Sequence, residues 1–258
     1  MAETQFIELG NKKIQLTVGG SGPPLVYLHS AAGEADWFPF FELLAQRHTV
    51  YVPAHPGFAL STGLEEIRDV ADYAWHYEDL LTKLGLGSVP VVGLSLGAWI
   101  ACELAILRPD RISKMVLVDA AGLHVPGSPM AELFIDDLGR LRKLLFHDTQ
   151  CAGADLLIPK GLDDPRILMW LRAREATARV GWNPYLHNPR LPKHLHRITC
   201  PALVLWGRHD LLIPLAHGEY YAQHLPQARL EILENCGHMP PFELPEAFAQ
   251  SVLNYLSA

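Results

Sequence analysis

Residues 91–109 read VVGLSLGAWIACELAILRP, and the fold turns on how the middle of this stretch is interpreted. An apolar, Val-rich run passes into a helical pattern that Pro109 stops. Ser95 stands at the junction, with Gly93 and Gly97 two residues to either side. Glycine weakens strands and helices alike, so a pair of them here needs a local cause. A serine projecting from a very tight strand-to-helix turn supplies one. Such a turn strains the serine's own dihedrals and leaves no room for side chains at the two flanking positions. The helix that follows aims its free N–H groups and positive dipole end at the hydroxyl, where they stabilise developing negative charge. Ser95 is therefore the candidate nucleophile, and the pattern draws its weight from the strand before it and the helix after it.

The same alternation recurs on both sides. PLVYLH (24–29), HTVYVP (48–53), VPVVGL (89–94), KMVLVDA (114–120) and ALVLWG (202–207) read as strands buried on both faces, and RLEIL (229–233) as a further strand. FIELG and KIQLTV alternate apolar and polar residues around Gly10 and Asn11, as in a half-exposed hairpin. Helical spacing is found over 37–46, from Ile67 through Val70, Ala74, Tyr77 and Leu81 to Leu84, and near 214–225 and 245–256. From Gly122 to Arg197 no buried strand is expected. Two helical patterns fall there instead, near 130–146 and 165–180, the second with Asp164 ahead of Pro165 as a start signal. Strand–helix alternation with buried strands predicts an α/β fold, a mostly parallel central sheet flanked by helices. It is expected to form a core domain from residues 1–121 and 198–258, with 122–197 as a helical insertion over one end. In such sheets ligands bind beyond the carboxyl ends of the strands, so residues just after strands are the ones to search for chemistry.

Composition narrows the classes. Of 258 residues, 49% are hydrophobic and 19% charged, which suits one large domain and excludes a solvated, disordered chain. A net charge of −7, with no basic run, argues against nucleic acid as a partner. The amino end, MAETQFIELG, has no basic region followed by a long apolar core, and no apolar stretch nears the roughly 20 residues that cross a bilayer. No leader and no membrane span are expected. The four cysteines, Cys102, Cys151, Cys200 and Cys236, are scattered without a CxxC pair. They read as buried thiols of a cytoplasmic protein rather than a zinc or redox motif.

A serine hydroxyl needs a base and a group that orients the base. Of the 13 histidines, His238 lies in ENCGHMPPFELP, just after a strand and before the last helix. Asp210 follows ALVLWG and is the better-placed acid, while Asp119, after a different strand, is the fallback. His147, His187, His194 and His196 fall in the inserted region and read as surface or cap residues. Ser95 in GLSLG, Asp210 in WGRHD and His238 in CGHMPPFELPEAF together resemble the signature blocks of the α/β-hydrolase superfamily, in that family's chain order. The resemblance covers nearly the whole chain, with 122–197 the weakest match. It implies a sheet of about eight strands with a helical cap. LHSAAG (28–33) resembles the family's oxyanion-hole loop, which implies the backbone N–H groups of Ala31 and Leu96 as oxyanion donors. The loop departs from the family pattern at Ser30, where glycine is usual; its hydroxyl either adds a hydrogen bond or fills space, and His29 is expected to brace the loop. HPGFALS (55–61) resembles another loop of the family. Trp37, Trp99 and Met239 are candidate pocket walls, with ordinary core packing an equal reading, and Trp182 and Asn183 are candidate ligand neighbours.

What the resemblance implies is acyl transfer to water, with no metal and no organic cofactor. The leading expectation is a carboxylesterase acting on small to medium apolar esters through an acyl-enzyme on Ser95. Aspartate is absent at position 95, which sets aside dehalogenases and epoxide hydrolases. Carbon–carbon hydrolases of meta-cleavage products often carry Asn before the serine and Trp after the histidine, where this chain has Leu94 and Met239. They are the alternative, so the partner is a small-molecule ester or ketone. A non-catalytic ligand-binding member of the fold is the third reading. Substrate contacts and oligomeric state stay open.

Overall fold

The computed structural model describes residues 2–258. Strands β1 (Glu3–Leu9) and β2 (Lys12–Gly20) form the expected hairpin, closing at Leu9 opposite Lys12 with Gly10 at φ 61°. Six further strands follow: β3 (Pro24–Leu28), β4 (Thr49–Pro53), β5 (Val89–Leu94), β6 (Ile112–Val118), β7 (Ala202–Gly207) and β8 (Ala228–Leu233). The eight make one sheet in the order β1-β2-β4-β3-β5-β6-β7-β8, parallel from β4 onward. β3, β5, β6 and β7 are central, and almost every residue in them is buried. That is why they appear in sequence as continuous apolar runs rather than alternating ones.

Helices make the crossovers: α1 (Pro39–Leu44), α2 (Val70–Lys83) and α3 (Leu96–Leu107) join β3 to β6. Asp69 caps α2 by accepting the N–H of Asp72. α3 is apolar nearly all round and correspondingly sunk in the core. Between β6 and β7 the chain adds one isolated bridge, Gly122 to His187, four α-helices, α4 (Leu138–Leu145), α5 (Ala152–Leu157), α6 (Ile167–Gly181) and α7 (Leu191–His194), and a 3-10 turn over Leu195–Arg197. α8 (Ala216–His224) links β7 to β8, and α9 (Pro240–Glu243) and α10 (Pro245–Ser257) close the chain. α2 packs on α3, and α1 on α10. Among the described residues no helix is long and apolar enough to cross a membrane.

Three helix expectations shift. The helix near 37–46 is confined to 39–44 by Pro39 at its start. The pattern at 130–146 is helical only from Leu138, because residues 131–135 give their backbone groups to tertiary partners. Ala131 N–H donates to Leu212 O, Tyr185 Oη bridges Ala131 O and Leu133 N–H, and Arg174 donates to Leu133 O and Ile135 O. Asp164 does nucleate a turn, but its carboxylate accepts the N–H groups of Lys160 and Arg166, so regular helix begins two residues beyond Pro165.

Register positions the chemistry. Leu28 lies opposite Gly93, Leu94 opposite Val118, Val118 opposite Leu205, and Gly207 opposite Leu233. The carboxyl ends of β3, β5, β6, β7 and β8 therefore form one edge, and the loops carrying Ser30, Ser95, Asp119, Asp210 and His238 all leave from it.

Candidate active site

Ser95 adopts φ 52° and ψ −108°, a left-handed conformation that a serine reaches only under constraint. Its N–H donates to Val118 O, and its carbonyl accepts from Trp99 and Ala121. The flanking glycines are sterically required. A Cβ on Gly97 would stand 2.0 Å from the carbonyl oxygen of Leu28, and one on Gly93 would stand 2.6 Å from the backbone of Ala98. The tight turn is thus wedged between β3 and α3.

Asp210 sits in the turn after β7. Its Oδ1 accepts N–H bonds from Leu212 and Ile213, both at 2.8 Å, and its Oδ2 lies 2.7 Å from His238 Nδ1. Both side chains are buried. With Nδ1–H directed at the carboxylate, Nε2 is left as the basic nitrogen. The histidine loop is held from outside the core as well: His238 N–H donates to Leu145 O at the end of α4, and Gly237 N–H to Glu243. Ser95 and His238 wall the same cavity, of about 40 Å³. Ser95 Oγ makes no hydrogen bond among the described residues. Asp119, the fallback acid, is fully buried close to Asp210 and His238 and makes no hydrogen bond to the imidazole, which is held by Asp210. Asp119, Asp210 and His238 are also the one group among the described residues with the make-up of a metal site. Because Nδ1 and Oδ2 are bonded to each other, an ion would have to break that bond.

The N–H groups of Ala31 and Leu96 donate to nothing among the described residues, and Ala31 walls the cavity beside Ser95. The loop bearing Ala31 is braced twice. Ser30 Oγ donates to Glu34 Oε2 at 2.7 Å, its N–H to Glu34 Oε1 at 2.6 Å, and Ala32 N–H donates back to Ser30 Oγ at 3.0 Å. The Ser30 hydroxyl is therefore a bonded member of the loop, not filler. Beneath it, His29 stacks on His55 with ring centroids 3.6 Å apart. Each of their nitrogens has a partner: His29 Nδ1–H donates to Ser30 O, His29 Nε2 accepts from His55 N–H, His55 Nε2–H donates to His29 O, and His55 Nδ1 accepts from Tyr77 Oη. Burial holds both imidazoles neutral, His29 at a pKa of about 4.

The candidate pocket residues divide. Met239 walls the cavity; Trp37 stacks on Phe41, and Trp99 is buried with its Nε1–H on Glu103. Trp182 is 63% exposed, and Asn183 lines a different cleft. The sequence reading missed Arg174 of α6, the one lysine, arginine or acidic side chain on the cavity wall. Its guanidinium lies 4.5 Å over the Trp170 ring, forms no salt bridge among the described residues, and is pulled below its usual pKa by burial. In sequence Arg174 is one of several arginines of α6, beside Arg172 and Arg179, which the structure leaves exposed.

The strand order, the strained serine turn and the edge cluster are those of one family. The chain belongs to the alpha/beta hydrolase family, whose model matches residues 25–251. It is 30% identical over 255 residues to the pimeloyl-(acyl-carrier protein) methyl ester esterase of Nitrosomonas europaea, covering 91% of this chain and 96% of that one. It is 26% identical over 270 residues to a 2-hydroxy-6-oxo-6-phenylhexa-2,4-dienoate hydrolase of Burkholderia cepacia, covering 96% of this chain and 93% of the relative. The fold is shared with a solved hydrolase of the latter kind from Rhodococcus sp. strain RHA1, at a TM-score of 0.81 and 22% identity, over 100% of this chain and 99% of that one.

Proposed function

We propose that this chain is a serine hydrolase that cleaves carboxylic esters of small to medium apolar substrates through an acyl-enzyme on Ser95. The observation that carries the reading is the strained Ser95 turn opening on a cavity that His238 also walls. His238 Nε2 takes the proton from Ser95 Oγ as the oxygen attacks the carbonyl; a nucleophile–base bond that is open without ligand tightens when substrate binds. Asp210 holds the tautomer and stabilises the imidazolium. The unengaged N–H groups of Ala31 and Leu96 receive the oxyanion, each such donor contributing about 3 kcal/mol in well-formed sites. His238 then protonates the leaving group, and water, activated by the same imidazole, releases the acid. The segment 122–197 is read as a cap on a core of 1–121 and 198–258, supported by the side chains of Leu133, Phe134, Leu141 and Arg174 on the cavity wall. Leu133, Phe134, Leu141, Leu145, Leu212 and Met239 make that wall largely apolar.

Arg174 favours a second reading. A half-buried guanidinium beside the cavity that forms no salt bridge among the described residues would be compensated further by a substrate anion. The carboxylate of a meta-cleavage product would supply one, and carbon–carbon hydrolysis uses the same serine, histidine and oxyanion groups. The two are separated by kinetics on p-nitrophenyl esters from acetate to decanoate alongside a coloured meta-cleavage product, with Ser95→Ala as control. Ester turnover that vanishes in Ser95→Ala supports the esterase. Decolourisation without ester turnover replaces it with the carbon–carbon hydrolase, and neither activity leaves the ligand-binding reading.

A further inference from the structure

Behind the candidate triad lies a carboxyl group that the mechanism above does not use. Asp119 follows β6, is 0% exposed, and takes φ 42°, in the left-handed region. Its Oδ1 accepts the N–H of Gly207 at 3.0 Å, and its Oδ2 is buried with no hydrogen-bond partner. One oxygen of Asp119, one of Asp210 and a ring nitrogen of His238 lie within 4.8 Å of one another. The titratable groups facing Asp119 are Asp210 and His238, with Cys236 and Glu243 beyond them, and no lysine or arginine stands among them.

Two carboxylates this close in a dry site do not both ionise. The donors around each decide which one carries the charge. Asp210 receives three N–H bonds, from Leu212, Ile213 and His238, whereas Asp119 receives one, from Gly207. The charge settles where the donors are, and the proton goes to the other carboxyl. Burial and the neighbouring Asp210 charge push Asp119 in that same direction, well above the ordinary carboxylate range. A protonated Oδ2 also resolves the orphaned atom: facing a carboxylate, an oxygen is satisfied only as a donor.

We propose that Asp119 is a neutral carboxylic acid whose Oδ2–H holds Asp210 in place, a positioning residue that also becomes the carboxylate for His238 when Asp210 is neutralised. The proposal rests on the serine-hydrolase reading for its kinetic consequences but not for its protonation state. In Asp210→Asn the nearest charge that opposed ionisation of Asp119 is gone; Asp119 releases its proton to solvent and takes over the stabilisation of the imidazolium.

The test combines variants with one spectroscopic measurement. On p-nitrophenyl acetate, Asp119→Ala is expected to lower kcat about thirtyfold with KM unchanged, and Asp119→Asn, which restores an N–H donor, to regain about tenfold of that. The acidic limb of the pH profile stays in place in both, since no charge has been removed. Asp210→Asn keeps activity roughly a hundredfold below wild type, and adding Asp119→Asn to it lowers activity about a hundredfold further, towards the loss expected of a triad without its acid. An acidic limb that drops by about one pH unit in Asp119→Asn, or an Asp210→Asn variant as slow as the double variant, overturns the proposal. Carboxyl carbon NMR of wild type labelled at aspartate decides the protonation state even where a variant fails to fold or no ester is turned over. One aspartate resonance in the protonated range at about pH 7 is expected, and a fully ionised set overturns the proposal. A wild type inactive on every ester refutes the functional reading instead, and the NMR result stands apart from it.

Discussion

Ser30→Ala isolates the least ordinary part of the site, the hydroxyl that stands where the family usually has glycine. The substitution removes a buried bond from Ser30 Oγ to the Glu34 carboxylate at 2.7 Å and deprives Ala32 N–H of its acceptor at 3.0 Å. A hydrogen bond to a charged group contributes about 1.5–3 kcal/mol, and an orphaned N–H costs about 1 kcal/mol or more, so the folded state should lose about 2–4 kcal/mol. The loss depends on pH in a defined sense. Burial raises the pKa of Glu34, and the Ser30 hydroxyl bond opposes that rise by stabilising the ionised form. The folded protein therefore holds its Glu34 proton to higher pH than the unfolded chain does. Removing the hydroxyl widens that gap, so the penalty is largest where wild-type Glu34 is ionised and shrinks as pH falls through its folded pKa. Because Ala31 is carried on the same loop, kcat should fall about tenfold to a hundredfold with little change in KM, a fraction of the loss of a whole oxyanion donor. Urea unfolding of wild type and variant at about pH 8 and pH 5, with ester kinetics at the higher pH, measures all three. A variant within about 0.5 kcal/mol of wild type at both pH values and with unchanged kcat would refute the reasoning.

Other outcomes follow from the same site. Ser95→Ala should lower kcat on esters by about 10⁴-fold or more while leaving the circular dichroism spectrum intact; activity that persists would exclude the acyl-enzyme. Arg174→Gln should reduce kcat/KM about tenfold to a hundredfold for a substrate bearing a carboxylate and no more than about threefold for p-nitrophenyl butyrate, and equal losses on both would make Arg174 merely structural through its bonds to Leu133 and Ile135. His29 has its pKa lowered from 6.5 to about 4, so the unfolded chain binds the extra proton first and the contribution of His29 is present above about pH 6.5 and lost as pH falls towards 4. The stability difference between wild type and His29→Gln should accordingly shrink by about 3 kcal/mol over that window, and a difference independent of pH would contradict the neutral-imidazole brace.

Much of this molecule is legible in its residue order because the information is local. A strand buried on both faces must be apolar throughout, so β3, β5, β6 and β7 announce themselves, and Gly93 marks a turn whose crowding, against Gly97 and Ala98, the backbone imposes within five residues. The post-strand positions of Asp210 and His238 follow from the same strand pattern. Hydrogen-bond partners distant in sequence are not legible in this way. Residues 131–135 carry a helical pattern and are not helical, because Tyr185, Arg174 and Leu212 claim their backbone groups from across the fold. Nothing near Tyr77 in sequence marks it as the donor to His55, 22 residues away. Two aspartates each end a strand, and sequence offered both to the imidazole; only packing brought Leu212 and Ile213 N–H groups to one of them and left the other an unbonded oxygen. Periodicity and turn chemistry act over a few residues and so can be read along the chain, whereas the protonation and orientation of a buried group depend on which dipoles surround it, and those are assembled only when the sheet edge closes.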